Sequence, residues 1–322
     1  MRDQKWNRLE CQRVALKSLN NSLDPTTFDF LKQVEPNVQV ADNPFFIQCL
    51  GISQDPQTFN YIMVMEFASL GSLRTYLNIN FNDMTWDNKI KSLWNLSKGL
   101  YYLHSKHLIH HDFHPGNLLF SDGEFLNIAD LGLCKSANQN SSQCKKVYGV
   151  LPYVAPEVLY RKDYTMASDI YSFGIIAYEI ITGLPPYYDT SHDNDLALSI
   201  CQGLRPKIPS YIPALITRLI MQCWDAQPDK RPTSKKLFTI INKWSSINNS
   251  EFGKYIDKYI TSSTSTSLSY ELHPKAIYTS RLLDTSNLSL PVNAPDYEIQ
   301  ISNLSSKKIS GTVYITVYIY LF

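Results

Sequence analysis

Between His110 and Asn117 the chain reads HHDFHPGN, and Asp130-Leu131-Gly132 follows shortly behind. Asp112 offers a carboxylate able to accept a hydroxyl proton, Asn117 a side-chain oxygen, and Asp130 a second carboxylate. Hard divalent cations such as magnesium prefer oxygen ligands, and often bind through one or two carboxylates together with a substrate's phosphates. A base, a metal-ligating amide and a metal-ligating carboxylate are the protein parts of phosphoryl transfer, a reaction catalysed mainly by positioning and charge neutralisation. Each piece alone has a plainer reading. An Asp with a Gly close behind is commonly a turn, and Lys17 by itself reads as an exposed strand lysine.

The elements that must position these groups are legible from periodicity. Val14-Ala15-Leu16-Lys17 reads as a short strand, and residues 28–34 have helical spacing, with Phe30, Leu31 and Val34 able to share a face. Residues 47–51 and 61–65 read as two more strands around a turn over 53–60, where Asp55-Pro56 fits a tight connection. Gly71-Ser72-Leu73 begins a helical region. Residues 86–104 form a long amphipathic helix, with Ile90, Leu93, Trp94, Leu96, Leu100 and Leu103 near helical intervals, and it ends where the HHDFHPGN stretch starts. Residues 167–182 are apolar all round, the mark of a buried helix, with Asp169 at its start favoured by the helix dipole. Residues 234–244 close the region as a final helix. Beyond them, residues 245–311 are rich in Ser, Thr and Asn with few large apolar side chains, which predicts a flexible, low-complexity tail. The last nine residues, 314–322, are β-prone and uncharged, and no function is assigned to them.

Composition bounds the remaining options. The chain has 322 residues, 44% of them hydrophobic, which is ample for a core. Thirty basic against 29 acidic residues leave a net charge of +1, so no overall field points to nucleic acid or an anionic membrane. The six cysteines contain no C-x-x-C pair, unlike a zinc site or a secreted disulfide framework, and reduced thiols are expected. The polar N-terminus lacks a signal-peptide core, and no run reaches the ~20 apolar residues of a membrane helix. A cytoplasmic location without a membrane span is therefore expected. The N-x-S triplets at Asn95, Asn140, Asn287 and Asn303 are what an Asn- and Ser-rich chain produces by chance.

The order of the motifs resembles the eukaryotic protein kinase family, nearest to its tyrosine-kinase-like branch. HHDFHPGN resembles the catalytic loop HRDxxxxN, Asp130-Leu131-Gly132 resembles DFG, Ala155-Pro156-Glu157 matches APE, and Val14-Ala15-Leu16-Lys17 matches the VAIK strand. Cys223-Trp224-Asp225 with Arg231-Pro232 resembles the late CW…RP pattern, in which Arg231 would pair with Glu157. The resemblance covers roughly residues 14–244 and implies an α+β, two-lobed protein-kinase-like fold. Its small lobe (about 1–66) would hold a truncated antiparallel sheet, its hinge would lie at 66–70, and its mainly helical large lobe (71–244) would be complete. It implies ATP and Mg2+ as cofactors and a protein substrate, phosphorylated at Ser or Thr hydroxyls, with Tyr as the other option. Residue by residue, Asp112 would accept the substrate proton, and Lys17 would contact the α- and β-phosphates. Asn117 and Asp130 would hold magnesium, and His114 would face the γ-phosphate. Ala15 and Leu119 would sandwich the adenine, beside Met65 as gatekeeper and the Glu66 and Ala68 backbones. Asp169 would anchor the catalytic-loop backbone.

Several positions depart from the family pattern. No G-x-G-x-x-G loop precedes Lys17, which suggests a truncated record or a misplaced start codon. Gln33 stands where the helix Glu that pairs with the lysine is expected, and Glu35, about 200° further round, cannot replace it. His111 replaces the Arg of HRD, so a permanent cation for gripping a phosphorylated activation segment is missing. His114 replaces the Lys two residues after the catalytic Asp, and Val150 the Thr that would bridge base and lysine. Ser136, Ser141, Ser142 and Tyr148 are hydroxyls of the activation segment. The competing reading is a pseudokinase or interaction scaffold that keeps the fold with little or no phosphotransfer.

Overall fold

The computed structural model describes residues 12–19, 28–123, 125–136, 146–161, 163–246 and 270–306. Strand alternation builds the small lobe. β1 (Val14–Ser18), β2 (Cys49–Gln54) and β3 (Tyr61–Glu66) form an antiparallel sheet in the order β1-β3-β2. Ala15 pairs with Met65 and Lys17 with Met63. Because successive side chains leave opposite faces, Val14 and Leu16 point outward, Leu16 being 65% exposed, while Ala15 packs on the inner face. That face closes on a core of its own, made by Leu19, Val34, Ile47, Met63, Met65 and Ala129.

Two small-lobe expectations are corrected. The strand predicted at 47–51 begins two residues later, because the Ile47 amide is already bonded to the Ile128 carbonyl at 2.9 Å and a bulge interrupts the register between Cys49 and Gly51. The helix predicted at 28–34 runs on as α1 (Phe28–Gln39), through Pro36. Proline usually breaks a helix interior. Here the Asn37 side chain donates to the Gln33 carbonyl at 2.9 Å, tying down the turn around the proline.

The large lobe is helical: α2 (Leu73–Asn80), α3 (Trp86–Ser105), α4 (Pro156–Arg161), α5 (Met166–Thr182), α6 (Asn194–Cys201), α7 (Ala214–Cys223) and α8 (Ser234–Ser246). Side-chain caps set several of the starts. The Ser72 hydroxyl accepts from the Thr75 amide, and Thr85 with Asn88 and Thr165 with Ser168 form capping boxes. The Leu93, Leu96, Leu100 and Leu103 stripe of α3 is buried, each side chain contributing roughly 1.5–3 kcal/mol. α5 is buried on every side, and a Cβ at Gly174 would come within 2.7 Å of the Cys223 Cβ, so only glycine lets α5 and α7 approach this closely. Short antiparallel pairs carry the loops: β4 (Leu108–Ile109) with β7 (Lys135–Ser136), and β5 (Leu118–Ser121) with β6 (Phe125–Ile128).

The tail expectation is also corrected for the described part. Residues 270–306 lie ordered against the large lobe. β9 (Arg281–Leu282) pairs antiparallel with β8 (Tyr148–Gly149), and α9 (Tyr297–Ser306) follows. Leu283 and Tyr297 are buried, and the Tyr297 hydroxyl donates to the Met221 carbonyl at 2.6 Å. Asn293 accepts from the Ala226 amide and donates to the Asp225 carboxylate. Composition argued for flexibility because these anchors are few and widely spaced. Backbone pairing, which composition does not record, supplies the rest. The terminal segment 314–322, Ser141 and Ser142 fall outside the described residues.

Candidate active site

The catalytic-loop geometry begins at a buried carboxylate. Asp169, in the first turn of α5, accepts from the His110 amide at 2.8 Å, the His111 amide at 3.3 Å and the His104 ring at 3.0 Å. Burial pushes its carboxyl up, but the His104 imidazole and the loop amides outweigh burial and hold it below the usual range. The anchoring role expected of Asp169 is thus visible in its bonds. His110, fully buried, then links two loops. Its Nδ1 accepts from the Asp112 amide at 3.3 Å, which leaves Nε2–H to donate to the Ala129 carbonyl at 3.1 Å.

From that scaffold the side chains converge. The Asn117 amide group donates to the Asp112 carbonyl at 2.9 Å, so its oxygen is turned away and free to ligate. The Ala129 amide donates to the Asn117 carbonyl at 2.9 Å, which ties the segment before Asp130 to the catalytic loop. Asp130 sits in the left-handed region at φ 56°, a costly place for a non-glycine residue, and its carboxylate accepts from the Gly132 amide. Lys17 Nζ lies 2.5 Å from Asp130 Oδ1. Both side chains are about two-fifths exposed, so the pair contributes little to stability and can separate at low cost.

A cleft of about 260 Å³ between the lobes is lined by Ala15, Lys17, Met65, Glu66, Asn117, Leu119 and Asp130, together with Gln33, Gly116 and others. Seven predicted site residues therefore share one cavity. Ala68 is not among the residues that line it, and its side chain packs against the small-lobe core. Gln33 occupies the expected position, within 4 Å of where a Gly132 Cβ would stand, as does Lys17, and the charge partner of the lysine is Asp130 rather than a residue of α1.

Asp112 and His114 line an adjoining recess with His111, Val150 and Tyr153. His114 Nδ1 accepts from the Gly116 amide at 3.1 Å, so the remaining proton sits on Nε2, which lies 3.4 Å from Asp112 Oδ2 and has no closer hydrogen-bond partner. Burial pushes the Asp112 carboxyl up, but His114 and a hydroxyl from Ser280 hold it below the usual range, so it is an anion at neutral pH. Ser280 Oγ lies 2.6 Å from both carboxylate oxygens. His111, by contrast, is not a cation: burial pushes it down to about 4, and its ring stacks on Tyr164 at 4.4 Å. Val150 is buried and offers no hydroxyl to the base.

Sequence reasoning missed two neighbours of this site. Ser280 carried no local signal within a Ser/Thr-rich segment. The second is a buried cluster in which Arg74 bonds Tyr153 and Glu179, and the Tyr153 hydroxyl donates to Glu179 at 2.5 Å. Glu179 within the otherwise apolar α5 was the available clue, since a buried carboxylate needs a partner. The predicted structural pair is present: Arg231 grips both oxygens of Glu157 at 2.7 Å.

Residues 3–241 match the family model for protein tyrosine and serine/threonine kinases. A protein kinase and PP2C-like domain-containing protein of Arabidopsis thaliana is 30% identical over 295 residues, covering 80% of this chain and 44% of its own length. A serine/threonine/tyrosine-protein kinase from the same plant is 29% identical over 253 residues, 78% of this chain and 63% of that protein. The chain spans only 18% of the length of a Dictyostelium discoideum relative and 11% of one from Acanthamoeba polyphaga mimivirus. Among the described residues no helix is long and apolar enough to cross a membrane. With its cleft, catalytic loop and Glu157–Arg231 clasp in the order that the family match covers, the chain belongs to the protein tyrosine and serine/threonine kinase family, in its tyrosine-kinase-like branch.

Proposed function

We propose that this chain transfers the terminal phosphoryl group of ATP to Ser or Thr hydroxyls of proteins, with Mg2+ as the working cation. The observation that carries the reading is the single hydrogen-bonded unit formed by His110, Asp112, Asn117 and Ala129, which sets two oxygen ligands, Asn117 and the neighbouring Asp130, in the interlobe cleft and a base in the recess beside it. The donor set fits a hard cation: the Asn117 oxygen is unclaimed by its own amide's bond, and Asp130 reaches the same cavity. Bound there, magnesium would neutralise charge on the phosphates.

The geometry supports a definite share for the protein's own groups. Asp112, held ionised, accepts the proton of the attacking hydroxyl. His114 presents Nε2–H beside it and supplies one hydrogen bond toward the transferring group in place of the lysine usual at that position. Lys17 exchanges its Asp130 partner for the α- and β-phosphates, at little cost because the pair is exposed. Ala15 and Leu119 flank the adenine, with Met65 at the back and the Glu66 and Ala68 backbones along its edge.

Purified chain should melt at a higher temperature with Mg·ATP than without it. Phosphate transfer to a serine-containing peptide should vanish in Asp112→Asn and in Lys17→Met, while Asp112→Asn keeps the nucleotide-dependent shift. Transfer surviving in Asp112→Asn would remove Asp112 from the mechanism. A chain that shows neither shift nor transfer would act as a scaffold instead.

A further inference from the structure

We propose that Ser280 is a phospho-acceptor of this chain's own active site, modified in cis, and that phosphorylation there releases the segment that carries it from the substrate groove. The proposal rests on the kinase reading above and adds a substrate, a site and a consequence to it.

The segment enters the groove as a strand. Arg281 and Leu282 pair antiparallel with Gly149 and Tyr148 of the activation segment, and the Leu283 amide donates to the Val147 carbonyl at 2.9 Å. Extended peptides are held by such strand addition when backbone bonds supply affinity and pockets take the side chains. The flanking anchors are specific. The Tyr278 ring lies 4.1 Å from the Arg74 guanidinium, and its hydroxyl donates to the Pro186 carbonyl at 2.9 Å. Arg281 bonds the His192 carbonyl, and Leu283 is buried in the large-lobe core.

This register delivers one side chain to the base. Ser280 Oγ stands 2.6 Å from each Asp112 oxygen, a distance suited to a proton leaving the hydroxyl. A non-reactive residue at this position would merely block the site. A hydroxyl can react. In the step, the Ser280 oxygen attacks the terminal phosphorus of the bound nucleoside triphosphate. A new O–P bond forms as the bond to the bridging oxygen breaks, the nucleoside diphosphate leaves with that electron pair, and the hydroxyl proton passes to Asp112.

The product cannot keep the same contact. A phosphoserine carries close to two negative charges and would face the Asp112 carboxylate, where like-charge repulsion disrupts packing. In the unmodified chain the segment holds the place that another protein's acceptor would need. Phosphorylation turns this occupant into a leaving group for the groove, and the site opens to substrates in trans.

The test uses the full chain, made free of phosphate with a phosphatase that is then removed. Mg·ATP is added at widely spaced protein concentrations, and a generic serine peptide is assayed in parallel. Phosphate should appear on Ser280 with a half-time independent of protein concentration, should persist at this position in Ser280→Thr, and should be absent in Asp112→Asn. Hydrogen exchange gives a readout without nucleotide: the Leu283 amide should exchange about tenfold or more faster in Ser280→Glu than in the unmodified chain, as expected for losing one charge-assisted bond. Peptide phosphorylation with Ser280 unmodified would overturn the proposal and leave the kinase reading intact. A half-time that shortens with protein concentration would overturn the cis reaction, and unchanged Leu283 exchange in Ser280→Glu would overturn the release. Neither peptide nor Ser280 modified, with no nucleotide-dependent shift in melting, would overturn both readings together.

Discussion

Replacing Asp169 by Asn should destabilise the catalytic loop by an amount that can be built from its bonds. The carboxylate is 2% exposed and accepts three donors: His104 Nε2 and the His110 amide on one oxygen, the His111 amide on the other. An Asn keeps one acceptor oxygen. Turned the better way, it still accepts from His104 and His110 but sets its own N–H2 against the His111 amide, leaving a buried donor unmatched at a cost of about 1–3 kcal/mol. The two surviving bonds lose charge assistance, roughly 1 kcal/mol together or somewhat more. The sum is about 3 kcal/mol, a large part of the 5–15 kcal/mol typical of a folded domain. With a urea slope of about 3 kcal/mol per molar for a chain of this size, the unfolding midpoint should fall by about 1 M, read from tryptophan fluorescence or circular dichroism. The folded-state carboxyl is held below its ordinary value, so its contribution is complete above about pH 4 and is lost as pH falls through the lower folded value. The gap between the two chains should therefore close in acid. A midpoint shift below about 0.3 M at pH 7, or a gap that does not narrow below pH 4, would show that Asp169 does not hold the loop as its geometry indicates.

Arg231→Ala should cost about 3–5 kcal/mol, because it strands the buried side of Glu157 and also vacates the Ala167 and Asp225 carbonyls; Lys at that position should not restore the melting temperature, lacking the two-pronged fork. His111, with an ordinary value near 6.5 and a folded value pushed down to about 4 by burial, stabilises fully above about pH 6.5 and loses about 2 kcal/mol between pH 7 and pH 5. His111→Phe, which keeps the stack on Tyr164, should remove that part of the acid sensitivity in urea titrations at the two pH values. Lys89 is pushed down to about 8 by burial, its ammonium 3.8 Å from the Phe81 ring centroid. Because its folded value lies below the ordinary one, the charge works against folding at neutral pH, and Lys89→Met should raise the melting temperature, worth ~1–3 kcal/mol.

Legibility followed the range of the forces. β1, β3, α3, α5 and α8 could be read within about two residues because periodic burial is a local property of the sequence. The pairing of Arg231 with Glu157 came from motif order, and the geometry agrees. Features set by distant partners were not legible. β2 starts late because Ile47 bonds to β6, and α1 continues through Pro36 within lobe packing that no local rule contains. Ser280 acquires its position from a strand pairing between segments far apart in sequence, in the Tyr148–Leu282 and Gly149–Arg281 register. Nothing in the composition of residues 270–306 distinguishes that pairing from random polar coil. The Arg74–Tyr153–Glu179 cluster is of the same kind, since three elements contribute one residue each.

The bonds joining His110, Ala129 and Asn117 also bear on how the cleft can breathe. Asp112, Asn117 and Asp130, the proposed base and cation ligands, all ride on the large lobe, whereas Lys17 rides on the small-lobe sheet. Residues 45–47 are pinned to β6 by the Ile128 amide and carbonyl, so rotation of the sheet has a fixed pivot there. Rotation about that pivot would lengthen the reach of one ammonium group and leave the spacing of carboxylates and amide unaltered. The three groups are thus set by bonds within one lobe, and only the lysine depends on how the two lobes sit.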